Sequence, residues 1–378
     1  MAPEVALAVV GESARPMRVL DPMCGSGTVL SLGVTHGHQV TGYDLDPLAV
    51  LMARVATQPV DSSALAGLAD ECLEKARRAR ATDAHWSDSE TREFARYWFG
   101  HTQRTQLVRL SRALNELDDS PERDVLHVGL SRLIITKSPR ASLAADTAHS
   151  RPHRVLDDSK FDVYQGFTAS VAAMSTTLGT RRLTGSARIE RGDARNKALF
   201  APDTYDLVVT SPPYLNAIDY LRGHRLALIW MGHTLSELRS IRNISIGSEA
   251  ARREAPTEPH EALVARAFKG LNHLDNGTHR LVLRYAHDML ELANNVHHCL
   301  VERGRVVVVV ADSVLRGNRI PTGDIVTMAL ADKGLEVNSV QTREIPATLR
   351  YLPVVKAGNQ LSKRMKSEYI ITAVKVAS

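Results

Sequence analysis

The chain has 378 residues, 44% of them hydrophobic and 24% charged, which predicts one large domain with an insertion, or two domains, and excludes a disordered chain. A formal charge of +5 and a pI near 9.1 suit a polyanionic partner without demanding one. Three scattered cysteines, Cys24, Cys72 and Cys299, make neither a disulfide framework nor a metal-type pair, and no basic leader or apolar run of about 18 residues is present, so a soluble protein of the reducing cytoplasm, with no membrane span and no bound metal, is expected.

Residues 3 to 10 read as a short helix with Pro3 and Glu4 in its first turn and Gly11 at its end. Met17 to Leu20 form a buried strand, followed at once by Asp21-Pro22-Met23-Cys24-Gly25-Ser26-Gly27-Thr28 and an apolar helical run over 29 to 34. Strand, glycine-rich turn and helix in that order make a ligand-binding loop, because glycines let the backbone approach a ligand and present amides at a helix start. A dinucleotide fingerprint needs a third glycine where Leu30 stands, and no phosphate-cradling Gly-Lys-Ser/Thr follows, which argues against NAD and ATP. Asp21 suits an ammonium group better than a pyrophosphate and points to the amino-acid end of S-adenosylmethionine; a plain cap on the next helix is its alternative role. A second strand, from Gln39, ends at Asp44, placed to accept from a ribose, while Asp46 starts a helix through Arg54.

Instead of a third strand, residues 60 to 185 read as a mainly helical insertion, with Leu107, Leu110, Leu114 and Leu117 on one buried face and Phe94 and Trp98 extending a similar stripe upstream. The basic run from Lys75 to Arg80 reads as a solvated helix face. Residues 136 to 154 lack helical periodicity and are expected as an exposed loop whose Lys137, Arg140, Arg151 and Arg154 contact phosphates. Pro152 between His149 and His153 argues against a metal pair.

The α/β pattern resumes at 187 to 191 with a strand ending in Gly192-Asp193-Ala194; Asp193 is placed to accept from an adenine amino group, with the Ala194 amide facing the ring. The next strand, Tyr205 to Thr210, runs into Ser211-Pro212-Pro213-Tyr214. Neither proline can donate to a ladder, so the strand stops there and two carbonyls stand free beside a hydroxyl and an aromatic ring. Rigid acceptors next to a flat ring suit a planar substrate bearing an exocyclic amine. Residues 215 to 232 contain a helical run, 233 to 277 a smaller polar insertion or lid, 278 to 302 a long helix, and 304 to 310 the clearest strand. A helix over 324 to 332 and strands over 335 to 345 and 369 to 376 finish the sheet as an antiparallel pair.

In this order the parts resemble the class I S-adenosylmethionine-dependent methyltransferases, specifically the DNA amino-methyltransferases that modify exocyclic amines of adenine or cytosine. Asp21 to Thr28 look like the family's first motif, Thr210-Ser211-Pro212-Pro213-Tyr214 like its catalytic motif, and Gly304 to Ser313 like a late strand. The resemblance implies a Rossmann-like α/β sheet in two parts, 1 to 59 and 186 to 378, around the helical insertion, which is a candidate for target recognition. It also implies S-adenosylmethionine as cofactor, held by Asp21, Pro22, Cys24, Gly25, Gly27, Thr28, Asp44, Asp193 and Ala194, with Ser211, Pro212, Pro213 and Tyr214 as the catalytic corner. Duplex DNA with a flipped-out base is the implied partner, with a restriction endonuclease as a second one. Serine before Pro-Pro is associated in the family with N4-cytosine; N6-adenine, an RNA guanine-N2 substrate, and a non-catalytic nucleic-acid-binding subunit are the alternatives. Two features depart from the family: residues 1 to 16 carry no Phe, Tyr or Trp to cover the methionine part of the cofactor, and the large insertion stands after the second strand.

Overall fold

A computed structural model describes residues 3–13, 15–80, 86–147, 152–215, 219–248, 259–269, 273–345 and 367–377. Seven strands, β1 (Arg18–Asp21), β2 (Gln39–Asp44), β3 (Ser186–Arg191), β4 (Tyr205–Thr210), β5 (Leu300–Val310), β6 (Leu335–Glu344) and β7 (Ser367–Lys375), form one sheet. Their order is β6-β7-β5-β4-β1-β2-β3. β1 to β5 are mutually parallel, and β7 runs antiparallel to both β5 and β6.

The apolar strands are buried on both sides, which is why they read as continuous runs. Side chains alternate between faces. Val19, Leu207, Val209 and Val307 pack with helices α1 (Pro3–Val10), α2 (Thr28–Thr35) and α3 (Pro47–Thr57). Their neighbours Leu20, Val208, Val306 and Val308 face α12 (Asn276–Cys299) and α13 (Thr322–Asp332). Each fully buried Val or Leu contributes roughly 1.5–3 kcal/mol relative to exposure, so the shared register of β1, β4 and β5 is strongly fixed.

Between β2 and β3 stand α4 (Ser62–Arg78), α5 (Ser89–Trp98), α6 (His101–Asn115), α7 (Pro121–Ser131) and α8 (Val163–Gly179). Leu107, Leu110 and Leu114 are buried as their spacing requires, and Leu117 packs at the edge of the same core. That core is continuous with Leu48 of α3, with Leu226 of α9 (Tyr220–Leu228), and with Leu238 of α10 (Leu235–Ile244). The insertion is therefore welded to the helices that follow the Ser211–Tyr214 corner. The polar stretch after α10 carries one more helix, α11 (Pro259–Ala267), against α12 and α13.

Within the mainly helical insertion Ala144–Ala145 also pair with His153–Arg154. Two expectations need correction. The 136–154 segment is not an exposed loop throughout: Ala141, Ser142, Leu143 and Ala144 are buried, and the Leu143 amide donates to the Trp98 carbonyl. The strand expected from 304 begins at Leu300, where it pairs with Tyr205 before an irregularity that re-enters register at Leu207 and Arg305. Arg303, with φ 60, and Gly304 take up the extra residues, hiding the strand's start behind a helix-like run of residues. Among the described residues no helix is long and apolar enough to cross a membrane.

Candidate active site

Register brings the motifs together. β1 pairs with β4 at Val19–Leu207 and Leu20–Val208, so Asp21 and Thr210 leave adjacent strands at the same carboxyl edge. β2 delivers Asp44 there opposite Arg191 of β3, and β4 ends with Thr210 opposite Val308 of β5. The strand order reverses at β1 and β4, where the crevice of an open α/β sheet forms. The glycine turn and the Ser-Pro-Pro-Tyr corner are neighbours.

Asp21 is 3% exposed. Its carboxylate accepts from the Met23 amide at 3.2 Å, and the Thr210 hydroxyl bears on it without completing a well-aligned bond. Burial pushes its pKa up to about 7, with the Thr210 and Met23 contacts only partly offsetting this. Among the described residues no basic side chain is paired with it. The turn beyond is set by two left-handed glycines, Gly25 at φ 52 and Gly27 at φ 81. A Cβ on Gly27 would lie 2.8 Å from the Ala53 Cα, so α2 is seated on α3, whereas one on Gly25 would meet nothing within 4 Å. Pro22 and Cys24 are buried, and Thr28 is the half-buried first residue of α2. Burial raises the Cys24 thiol pKa, making it a packing group and not a nucleophile.

Asp44 holds the turn as well as facing the edge. It accepts from the Gly25 amide and the Asp46 amide, each at 2.9 Å, and burial raises its pKa to about 6. Asp46 caps α3 through the Leu48 amide, as expected, and its other oxygen lies 2.6 Å from Nδ1 of His224 on α9. Burial alone would lower the His224 pKa, but the Asp46 carboxylate outweighs it and raises it. Nothing in the spacing of the sequence pointed to His224, which lies 178 residues from Asp46.

Asp193 is not a free acceptor. Arg195 grips both its oxygens, at 2.9 and 2.7 Å, and reaches Asp288 of α12 at 2.7 Å and the Ile244 carbonyl. The Ala194 carbonyl accepts from Asn295 at 3.0 Å. The loop after β3 is thus pinned to α12, with the Asp193 carboxylate fixed in orientation. Burial opposes the charge of Arg195, yet the two carboxylates raise its pKa overall. Arg195→Met should destabilise the protein by about 3–5 kcal/mol, because the buried Asp288 and the half-buried Asp193 both lose their cation; urea unfolding measures it, and a loss below 1 kcal/mol would contradict the clamp.

At the corner, the Ser211 hydroxyl donates to the Val309 carbonyl at 3.0 Å. Its proton is spent, so its oxygen is presented as an acceptor. Tyr214 is half-buried, with its hydroxyl near that of Ser211, and burial pushes its pKa up to about 12. Pro212 is buried and Pro213 exposed. The stretch after α10 braces this backbone: a Cβ on Gly247 would lie 2.8 Å from the Tyr214 carbonyl oxygen, and Arg284 holds the adjoining Ser248 carbonyl at 2.7 Å. The polar segment expected as a lid is in contact with the corner at this point.

The cations expected on phosphates are placed differently. Lys137, Arg140 and Arg154 are exposed, but none makes a hydrogen bond, ion pair or ring contact with the corner. Arg154 lies over the Tyr97 ring at 5.3 Å and pairs with Asp157 at 3.5 Å. Arg151 lies outside the described residues.

No protein-family model matches the chain. It is 23% identical over 384 residues to the Type II methyltransferase M.MvaI of Kocuria varians, a match covering 94% of this chain and 83% of that protein. Among solved structures, a TehB-like SAM-dependent methyltransferase from Corynebacterium glutamicum aligns with 98% of this chain and 86% of its own, at 11% identity and a TM-score of 0.33. The rRNA methyltransferase aviRa from Streptomyces viridochromogenes aligns with 99% and 85%, at 10% identity and a TM-score of 0.33. At those scores the structural likeness is too distant to bear on substrate. The strand order, the carboxyl-edge motifs and the inserted helices together make this an α/β protein with a Rossmann-like sheet carrying a large helical insertion.

Proposed function

We propose that the chain is an S-adenosylmethionine-dependent DNA methyltransferase that modifies the exocyclic N4 amine of cytosine. The observation that carries this reading is the adjacency of the Asp21 turn and the Ser211 corner on neighbouring parallel strands. The matched relative, a Type II methyltransferase, supports it along 94% of the chain.

The residues fit the cofactor. A buried carboxylate with a raised pKa and no paired basic side chain, Asp21, calls for a cation such as the methionyl ammonium. Asp44 retains lone pairs for ribose hydroxyls, the pinned loop of Asp193 and Ala194 lies at the same carboxyl edge and is assigned to the adenine, and the empty space over Gly25 leaves room for close approach. When bound, the cofactor supplies an electrophilic methyl group on a sulfonium. The chain's own part is positioning and electrostatics. The Ser211 oxygen and the Pro212 carbonyl accept from the target amine, favouring a pyramidal nitrogen and stabilising the positive charge that develops on it. Tyr214 provides a ring face for a base turned out of the duplex. No strong base is needed before attack, since the methylated ammonium sheds its proton readily.

Gly25→Ala should separate binding from stability. The left-handed φ costs about 1–2 kcal/mol, while the methyl projects into the space assigned to the cofactor, so calorimetry should show at least tenfold weaker binding with only a modest fall in Tm. Unchanged affinity would remove Gly25 from the site. Methyl transfer itself is tested by incubating the protein with tritiated S-adenosylmethionine and separate DNA, RNA and protein pools. Label is expected in DNA; label confined to RNA or protein, or none at all, overturns the reading.

A further inference from the structure

Four arginines meet where α9, α10 and α5 come together. Arg222 of α9 and Arg242 of α10 converge on one oxygen of Asp219, the first at 3.7 Å. Arg239, one turn before Arg242, pairs with Glu90 of α5. Arg225, one turn on from Arg222, has its guanidinium 5.0 Å from the centre of the Phe94 ring, and Phe94 stands one turn from Glu90 on the same face of α5. Four guanidiniums therefore share a neighbourhood that holds two carboxylates. Arg225 is the cation left over. Among the described residues it makes no hydrogen bond or ion pair, and its buried Nε has no partner. Burial, reinforced by the charges of Arg242 and Arg222, lowers its pKa. A half-buried cation beside like charges is held at a cost in the free protein, and the contact with Phe94 would serve an apolar side chain as well.

The cluster adjoins the Ser-Pro-Pro-Tyr corner. α10 runs on into Gly247, whose Cβ would lie 2.8 Å from the Tyr214 carbonyl oxygen, and His224, between Arg222 and Arg225 in sequence, lies 2.6 Å from Asp46 at the carboxyl edge of the sheet. We propose that Arg222, Arg225, Arg239 and Arg242 form a surface that grips the sugar-phosphate backbone of duplex DNA beside that corner. The proposal rests on the methyltransferase reading above and deepens it by naming the face that holds the polyanion. A guanidinium presents a planar fork of donors that matches two phosphate oxygens. A phosphodiester also brings the negative charge that this neighbourhood lacks, so binding relieves the repulsion on Arg225. Such contacts fix the register of the duplex without reading its sequence.

The test titrates the protein against a short dye-labelled DNA duplex of arbitrary sequence, by fluorescence anisotropy, at salt from about 50 to 200 mM. Arg225→Met keeps a long stem against Phe94 and loses the charge. It is expected to bind the duplex about tenfold more weakly, with a slope of log affinity against log salt shallower by about 0.9, a Tm no lower than wild type, and a calorimetric cofactor Kd within about twofold. Arg225→Lys should keep the slope. Arg222→Gln should lose a similar increment, whereas Lys75→Gln, which removes an equal charge from the exposed face of α4, should leave the slope as it is. Unchanged slopes in both charge-removing arginine variants, an equal loss in Lys75→Gln, a loss that comes only with a lower Tm, or changes seen on an RNA duplex but not on DNA each overturns the proposal. Indifferent variants of a protein that methylates DNA defeat this inference alone. The expected slope changes in a protein that transfers no methyl group to DNA defeat the reading above and leave the surface standing.

Discussion

Asp21→Asn is expected to weaken S-adenosylmethionine binding by roughly 2–5 kcal/mol, about 30- to 4,000-fold, the usual cost of truncating one partner of a buried charge pair. The same change should leave the cofactor-free protein at pH 8 as stable as wild type or more so. The reason is the environment of Asp21: buried, with one backbone amide, one imperfect hydroxyl contact and no paired basic side chain, its ionised form is held at a cost. Asparagine keeps the shape and removes the charge. Calorimetric titration and thermal melts with and without cofactor separate the two effects. A variant that loses binding only because it unfolds would contradict the assignment.

The pH dependence follows with a definite sign. The folded-state pKa of Asp21, about 7, lies above the ordinary value of 3.8. Between those values the folded state holds a proton that the unfolded state has released, so this group's contribution to stability falls as pH rises from about 4 to 7 and levels off above. Binding of a cationic ligand runs the other way, because it needs the ionised form. Cofactor affinity should therefore weaken about tenfold for each pH unit below 7. In Asp21→Asn both slopes should flatten. Asp44, with its pKa raised to about 6, adds a smaller contribution in the same range and is the group to neutralise next if a slope remains.

Ser211→Ala should lower kcat by about 100-fold while cofactor Kd stays unchanged, the scale seen when one aligned transition-state contact is removed. Because the Ser211 hydroxyl donates to Val309, its oxygen can only accept from the target amine, and alanine deletes that acceptor outright. The structural cost is the bond to Val309 together with the contact to the neighbouring Tyr214 hydroxyl, about 1–2 kcal/mol, so the variant should be folded and cofactor-loaded but slow. Single-turnover kinetics with saturating DNA distinguish this from a binding defect. Full activity in the variant would leave the Pro212 carbonyl as the sole acceptor and remove serine from the chemistry.

Most of the sheet was legible because its signals are local. Leu207 to Val209 stop at two prolines, Val306 to Val310 form an unbroken β-branched run, and Asp21 to Thr28 carry their turn in their own glycines. The features that escaped are those made by residues distant in the chain. Arg195 meets Asp288 across 93 positions and His224 meets Asp46 across 178, and neither pair leaves a spacing pattern. The early start of β5 was hidden because Leu300 to Arg303 continue the polar and apolar rhythm of α12, and only the pairing of Leu300 with Tyr205 of β4 draws this start into the sheet. Residues 141 to 144 are too few to show a period, so their burial beneath α5 and its neighbours could not be read from their order alone. The insertion's helical character was readable from its leucines. Its fusion with α9 and α10 into one core was not, since that depends on where Trp230 and Leu238 land.

The central claim is that a methyl donor and an extruded cytosine meet between the Asp21 turn and the Ser211 corner. Its most direct test is to incubate the purified protein with S-adenosylmethionine and unmethylated duplex DNA, digest to nucleosides and measure the products by mass spectrometry. N4-methylcytosine should accumulate with wild type and be about 100-fold slower to form with Ser211→Ala; N6-methyladenine in its place, or no methylated nucleoside at all, would contradict the account.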